Sequence, residues 1–233
     1  EVRKTNSKIT GAFNEGIMGA KTSKTLRREQ ANCEEFGELT GTMREGALFG
    51  TNLVLRRTIT AKLGETSIKI RDEIENESST SDVPCMVMYH CNAGFPMMDA
   101  SCVFEIDPIE SGDRDEIAAV GRKEESFKVF GEPIVGYDEQ VFYHKLAADE
   151  AGWCHATMYN PDRKVALTVS YTEKELPYLI HWKCKDAGNY VTGIEPSNCH
   201  PEGVHKEEEY GTLRKLAPHE IITTGIIISA CDR

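Results

Sequence analysis

NLVLRRTITAKLGETSIKIRDEI (52–74) carries the reading of the fold. Its two arms, 52–60 and 66–74, are rich in β-branched residues. The second arm nearly alternates, with Ile68, Ile70 and Ile74 set among charged neighbours. An alternating pattern puts one set of side chains on each face of a strand. Leu63-Gly64-Glu65 is a turn between the arms, so the segment predicts a β-hairpin. Strand-like runs then recur at short intervals over Pro84–Cys91, Ser101–Asp107, Gln140–Leu146, Trp153–Tyr159, Val165–Tyr171, Tyr178–Cys184, Tyr190–Ile194 and Glu220–Ser229. Pro108, Gly136, Gly152, Asn160-Pro161, Pro177 and Gly188 punctuate them. Many short strands at near-regular spacing predict an all-β sandwich or barrel. Only Asp113–Gly121 reads as a helical turn or two. No βαβ rhythm or GxGxxG fingerprint is present, which argues against a dinucleotide-binding domain.

Composition narrows the function. The 233 residues are 39% hydrophobic and 28% charged, enough for one sizeable core. The net charge of -11 argues against nucleic acid and against anionic membrane surfaces as partners. No apolar run approaches the ~20 residues of a membrane span, and the opening EVRKTNSKIT lacks a secretory apolar stretch. The eight cysteines are spread along apparent strands, with no CxxC pair. Buried free thiols in a reducing, cytoplasmic setting are the expectation. Residues 11–22 look a little like a phosphate loop, but Ala20 stands before Lys21 where the motif needs glycine. Lys206–Glu209 reads as a solvated acidic face.

Several residues carry possible chemistry. His90 closes an apolar run; it is either a hydrogen-bonded core histidine or a general acid or base. Glu195, before Pro196, is either a surface turn carboxylate or a base tuned by burial. In Tyr137-Asp138-Glu139-Gln140, strand alternation lets only one of the two acids enter any pocket. His181-Trp182 offers an imidazole and a flat apolar face, a pairing suited to sugar rings, though a strand tryptophan is commonly core. Cys199, His200 and His205 lack a well-spaced partner, so no metal is expected. No GxSxG elbow supports a serine hydrolase.

Those segments resemble the aldose 1-epimerase (galactose mutarotase)-like superfamily, most closely a bacterial branch of it. PCMVMYHCNAGFPMMD (84–99) resembles the strand and turn in which a histidine precedes an asparagine or aromatic stretch. YLIHWKCKDAGNYVTGIEPSNCHPEG (178–203) resembles the later segment with its Glu-Pro turn, and Gly136-Tyr137-Asp138 is similar to the segment whose acid holds hydroxyls. Arg44–Gly50, Gln140–His144 and His181–Lys183 add to the match, which spans about 39–230. The resemblance implies a galactose mutarotase-like β-sandwich (supersandwich), as one domain over 1–233. Residues 1–38 are divergent, and the sandwich is expected to be incomplete at its N-terminus. It implies an isomerase that interconverts sugar anomers without cofactor or metal. Glu195 would take the proton of the anomeric hydroxyl while His90 protonates the ring oxygen. Asp138, Glu139, His144, His181, Asn92 and Arg44 would bind the substrate, a small carbohydrate. His90 is the first histidine of the chain, whereas the family offers an earlier one in a His-Gly motif. A non-catalytic sugar-binding module on the same scaffold is therefore the alternative.

Overall fold

A computed structural model describes residues 37–47, 50–114 and 127–233. The expected helical turn over Asp113–Gly121 and residues 1–36 lie outside these, apart from Asp113 and Arg114. The described chain forms two compact units.

One unit contains residues up to Val83 together with Leu216–Gly225. Its centre is the predicted hairpin: β2 (Asn52–Ala61) pairs antiparallel with β3 (Ser67–Asn76). Gly64 takes φ 90° in the turn, a left-handed conformation that glycine adopts without strain. Across the hairpin Arg57 stands opposite Asp72, and its guanidinium donates to both carboxylate oxygens at 2.8 and 2.7 Å. Asp72 is fully buried, and this bidentate pair gives a donor to each of its carboxylate oxygens. β1 (Glu38–Gly46) pairs with β2 on the other side. Sequence patterning missed β1, because ELTGTMREG has a single β-branched type and little burial contrast.

The other unit contains Pro84–Lys215 and Ile226–Arg233. A five-stranded antiparallel sheet runs in the order β5 (Cys91–Gly94), β12 (Asn189–Ser197), β11 (Tyr178–Asp186), β8 (Gln140–Leu146), β7 (Pro108–Asp113). A second sheet contains β10 (Val165–Thr172), β9 (Trp153–Asn160) and β6 (Val103–Glu105), with β10 paired to residues 226–232 of the long last strand, β13 (Ile221–Asp232). The two sheets pack face to face: the Phe104 ring of β6 lies 4.2 Å from the imidazole of His181 on β11. Phe104, Met158, Val169, Leu179 and Ile194 are fully buried between them. Burial of each such side chain contributes about 2 kcal/mol before conformational entropy is subtracted. The all-β sandwich expected from the strand spacing is the fold observed.

Three local expectations are corrected. Pro84–Cys91 is not a continuous strand: it is paired only at Val83–Pro84 (β4), at an isolated bridge from Met88 to Ser197 and from Cys91 onward. Its backbone is held instead by the Asn198 side chain, which accepts from Val87 N–H at 2.7 Å and donates to the Cys85 carbonyl at 3.0 Å. Lys206–Glu209 is not simply a solvated face: it lies in a helix, α1 (Val204–Tyr210), whose Glu207 is fully buried. Glu207 Oε1 accepts the His200 backbone N–H at 2.9 Å and lies 2.8 Å from His200 Nδ1, while Oε2 accepts Thr212 Oγ1 at 2.8 Å. Burial pushes this carboxyl up, but those hydrogen bonds prevail and hold it below its ordinary range. Glu195 is not in a turn: β12 runs through it to Ser197. The seven described cysteines are free thiols. Among the described residues no helix is long and apolar enough to cross a membrane.

Candidate active site

Pairing register decides which side chains meet. Residues opposite one another in an antiparallel ladder project to the same face. One row across the five-stranded sheet is therefore Val141, Trp182, Gly193 and Asn92; the next is Tyr143, Ile180 and Glu195. His90, two residues before Asn92, reaches the same face. Its Nε2 lies 2.9 Å from Glu195 Oε1.

Glu195 sits in the middle of the sheet because Pro196 does not break the strand. The Pro196 carbonyl accepts the Tyr89 N–H, so the N–H that proline lacks would point to that same side, past the β5 ladder, which ends at Ile194. The Glu195 side chain is 5% exposed, and Oε1 accepts no hydrogen bond of regular geometry. Burial, reinforced by the negative charge of Glu139, pushes its carboxyl up to about 7. Burial and the Glu195 charge likewise push the Cys91 thiol up to about 11.

The carboxylate has room because residue 193 has no side chain. A Cβ there would stand 2.2 Å from Glu195 Oε1 and 3.1 Å from His90 Cε1. Next to this gap, the Trp182 ring meets His90 edge-on, 5.8 Å between centroids. The indole Nε1 donates to Glu139 Oε2 at 2.8 Å, and Arg114 Nη2 donates to Glu139 Oε1 at 3.0 Å. His90 is half-exposed, so the cluster is open to solvent on its side. A buried acid titrating near neutrality against an accessible imidazole is suited to moving a proton to and from a bound molecule.

The predicted residues divide by face. His90, Glu195, Glu139 and Asn92 come together; Asp138 is exposed beside them. His181 and His144 do not join them. They project from the opposite face into the core, 0% and 2% exposed, so neither reaches a ligand held by His90. His181 Nε2 bonds Thr192 Oγ1 at 3.0 Å, and His144 Nδ1 lies 2.7 Å from Ser111 Oγ. Burial pushes His144 down to about 4, and burial together with the charges of His144 and Lys183 pushes His181 well below its ordinary value. Arg44 belongs to the other unit, where it pairs with Glu77 at 2.6 Å and with Asn52 Oδ1 at 2.6 Å. His200 bonds Glu207, and among the described residues no group of three His, Cys, Asp or Glu side chains is arranged to hold a metal. Arg114 and Gly193 were missed. The alternation in His181-Trp182 and Asp138-Glu139 is the signal that selects the tryptophan and Glu139 once either partner is placed.

A family profile described as a domain of unknown function, DUF4432, matches residues 18–229. The chain belongs to the DUF4432 family. No curated protein matches it. Among solved structures, this DUF4432 chain is similar to a candidate aldose 1-epimerase from Klebsiella pneumoniae subsp. pneumoniae MGH 78578, with TM-score 0.77 and 22% identity over 83% of this chain and 50% of that one. A candidate aldose 1-epimerase from Escherichia coli K12 gives TM-score 0.61 and 13% identity, over 84% and 66% of the two chains. A galactose mutarotase related enzyme from Lactobacillus acidophilus gives 0.59 and 12%, over 84% and 68%. The DUF4432 chain thus spans half the length of the Klebsiella protein. Likeness at these identities establishes a shared galactose mutarotase-like fold.

Proposed function

We propose that the sheet face carrying Glu195 and His90 binds a sugar ring and interconverts its anomers, as an aldose 1-epimerase-like isomerase. The observation that carries this reading is a buried carboxyl raised to about 7 and set 2.9 Å from a half-exposed imidazole. Glu195 takes the proton of the anomeric hydroxyl as His90 gives one to the ring oxygen. The bond from the anomeric carbon to the ring oxygen opens, the aldehyde turns, and the ring closes on its other face with the roles reversed. One group that takes a proton and one that gives a proton suffice for this; each contributes on the order of 10²–10⁴-fold. Trp182 offers an apolar surface to the ring, and Asn92 a hydrogen-bonding amide. The seven free cysteines support action in a reducing, cytoplasmic compartment.

At 2.9 Å the two groups leave no space for a ring between them. Binding therefore requires the half-exposed His90 to swing away from Glu195 while the buried carboxyl stays. The same contact favours the second reading, a sugar-binding module without catalysis. Exchange NMR of α- and β-anomers over a panel of hexoses and pentoses tests both. Accelerated exchange that Glu195→Gln abolishes supports the isomerase. Calorimetric binding without accelerated exchange supports the module, and neither binding nor exchange overturns both.

A further inference from the structure

Glu139 was expected to hold a substrate hydroxyl, but its oxygens are already engaged. Oε2 accepts the Trp182 indole N–H, and Oε1 accepts from Arg114. Trp182 stands next to Gly193 in the ladder, the residue over which the Glu195 carboxylate lies, and meets His90 edge-on. Glu139 therefore connects a fixed cation, the indole and the acid–base pair. We infer that Glu139 is a positioning residue of this site: it binds no hydroxyl, but fixes the Trp182 ring against His90 and sets the charge that Glu195 faces.

The inference rests on the proposed acid–base role of Glu195, and deepens it. Among the described residues the groups facing Glu195 are few. His90 approaches from the segment before β5, and Cys91 stands at the start of β5. From β8, Tyr143 shares its row, but the hydroxyl donates to Glu202. From β11 come Ile180 and the indole of Trp182, neither of which titrates. Among the described residues Glu139 is thus the carboxylate whose repulsion helps hold the Glu195 proton in place, adding to the larger effect of burial. Arg114 tempers that repulsion by neutralising part of the Glu139 charge.

This arrangement makes two substitutions act in opposite directions. Glu139→Gln removes the repelling charge but keeps an acceptor for the indole, so the Glu195 midpoint moves to lower pH. Arg114→Gln exposes the full Glu139 charge, so the midpoint moves to higher pH. Glu139→Asp retains the charge and keeps the midpoint near that of the unmodified protein. The test is a side-chain ¹³C carboxyl titration by NMR, with the Glu195 signal assigned by its loss in Glu195→Gln. The readout needs no sugar, so it stands apart from the failure or success of the isomerase assay. Opposite shifts support the inference; damage to folding alone would not reverse sign between the two variants. An unchanged midpoint in Glu139→Gln, or shifts of the same sign in both, overturns it. Should Glu139→Gln fail to fold, Glu139→Ala takes its place in the same comparison with Arg114→Gln and Glu139→Asp.

Discussion

The two faces of the five-stranded sheet carry the same kinds of side chain and put them to different ends. On one face, His90 stands half-exposed against a buried carboxyl. On the other, His181 and His144 are enclosed by Phe104, Phe127 and Phe142, with Lys183 buried nearby and donating to the Val129 carbonyl at 2.8 Å. A single step along β11, from His181 to Trp182, moves from one environment to the other. What separates the imidazole of the proposed site from the core ones is access and a partner carboxylate. Residue type does not distinguish them.

The faces also pull stability in opposite directions with pH. Glu195 has a folded value raised to about 7 from an ordinary 4.5. The native state then binds the proton more tightly, so its stabilising effect is complete below about 4.5 and is lost as pH rises through 7. His144 and His181 have depressed values, so the unfolded chain takes up their protons first. Stability is lost as pH falls below the ordinary imidazole value of 6.5, through about 4 for His144.

The largest effect that would break this contrast is Glu195→Gln. Anomer exchange should fall by about 10²–10⁴-fold. At pH 8 the variant should be more stable, by up to about 3 kcal/mol in urea titrations, because a buried anion has become a neutral amide. Lost exchange with no stability gain would mean that the carboxyl is not strained by burial. Gly193→Ala comes next. Its Cβ would displace Oε1 or His90, and a misplacement near 1 Å costs on the order of 10²-fold in rate; a fully active alanine variant would show that the close approach is dispensable. The smallest effect tests the core face. His144→Leu should cost about 1–2 kcal/mol at pH 7 through altered packing, and the exposed Ser111 can turn to water. Its stability should then decline less than that of the unmodified protein between pH 7 and 4. Parallel declines would place the acid sensitivity elsewhere.

Much of the sandwich was legible because β8 to β12 are built from β-branched and aromatic runs bounded by Gly and Pro. Gln140–Leu146 matches β8 at both ends. β1 and α1 were not: β1 has a single β-branched type and little burial contrast, and α1 is anchored by Glu207, whose importance lies in side-chain bonds to the flanking His200 and Thr212 rather than in local helix preference. At the site, the residue types of His90 and Glu195 were visible. Their 2.9 Å contact depends on strands distant in sequence, so no local pattern could give it. The wrong placing of His144 and His181 has a plain cause. Alternation tells which neighbours oppose each other, and says nothing of which side faces solvent until one residue is fixed.

The absent side chain at Gly193 has a consequence for how this sequence can vary. Positions 193 and 195 are two apart on one strand and share one volume of space. While residue 195 is glutamate, Oε1 fills that volume, so a side chain at 193 must move the carboxylate. Shortening residue 195 removes that conflict and leaves the His90 ring, 3.1 Å from the same Cβ position, as the remaining tight contact. The size tolerated at 193 is therefore coupled to the length of residue 195: the penalty of Gly193→Ala should be smaller in a Glu195→Ala background than in the unmodified protein.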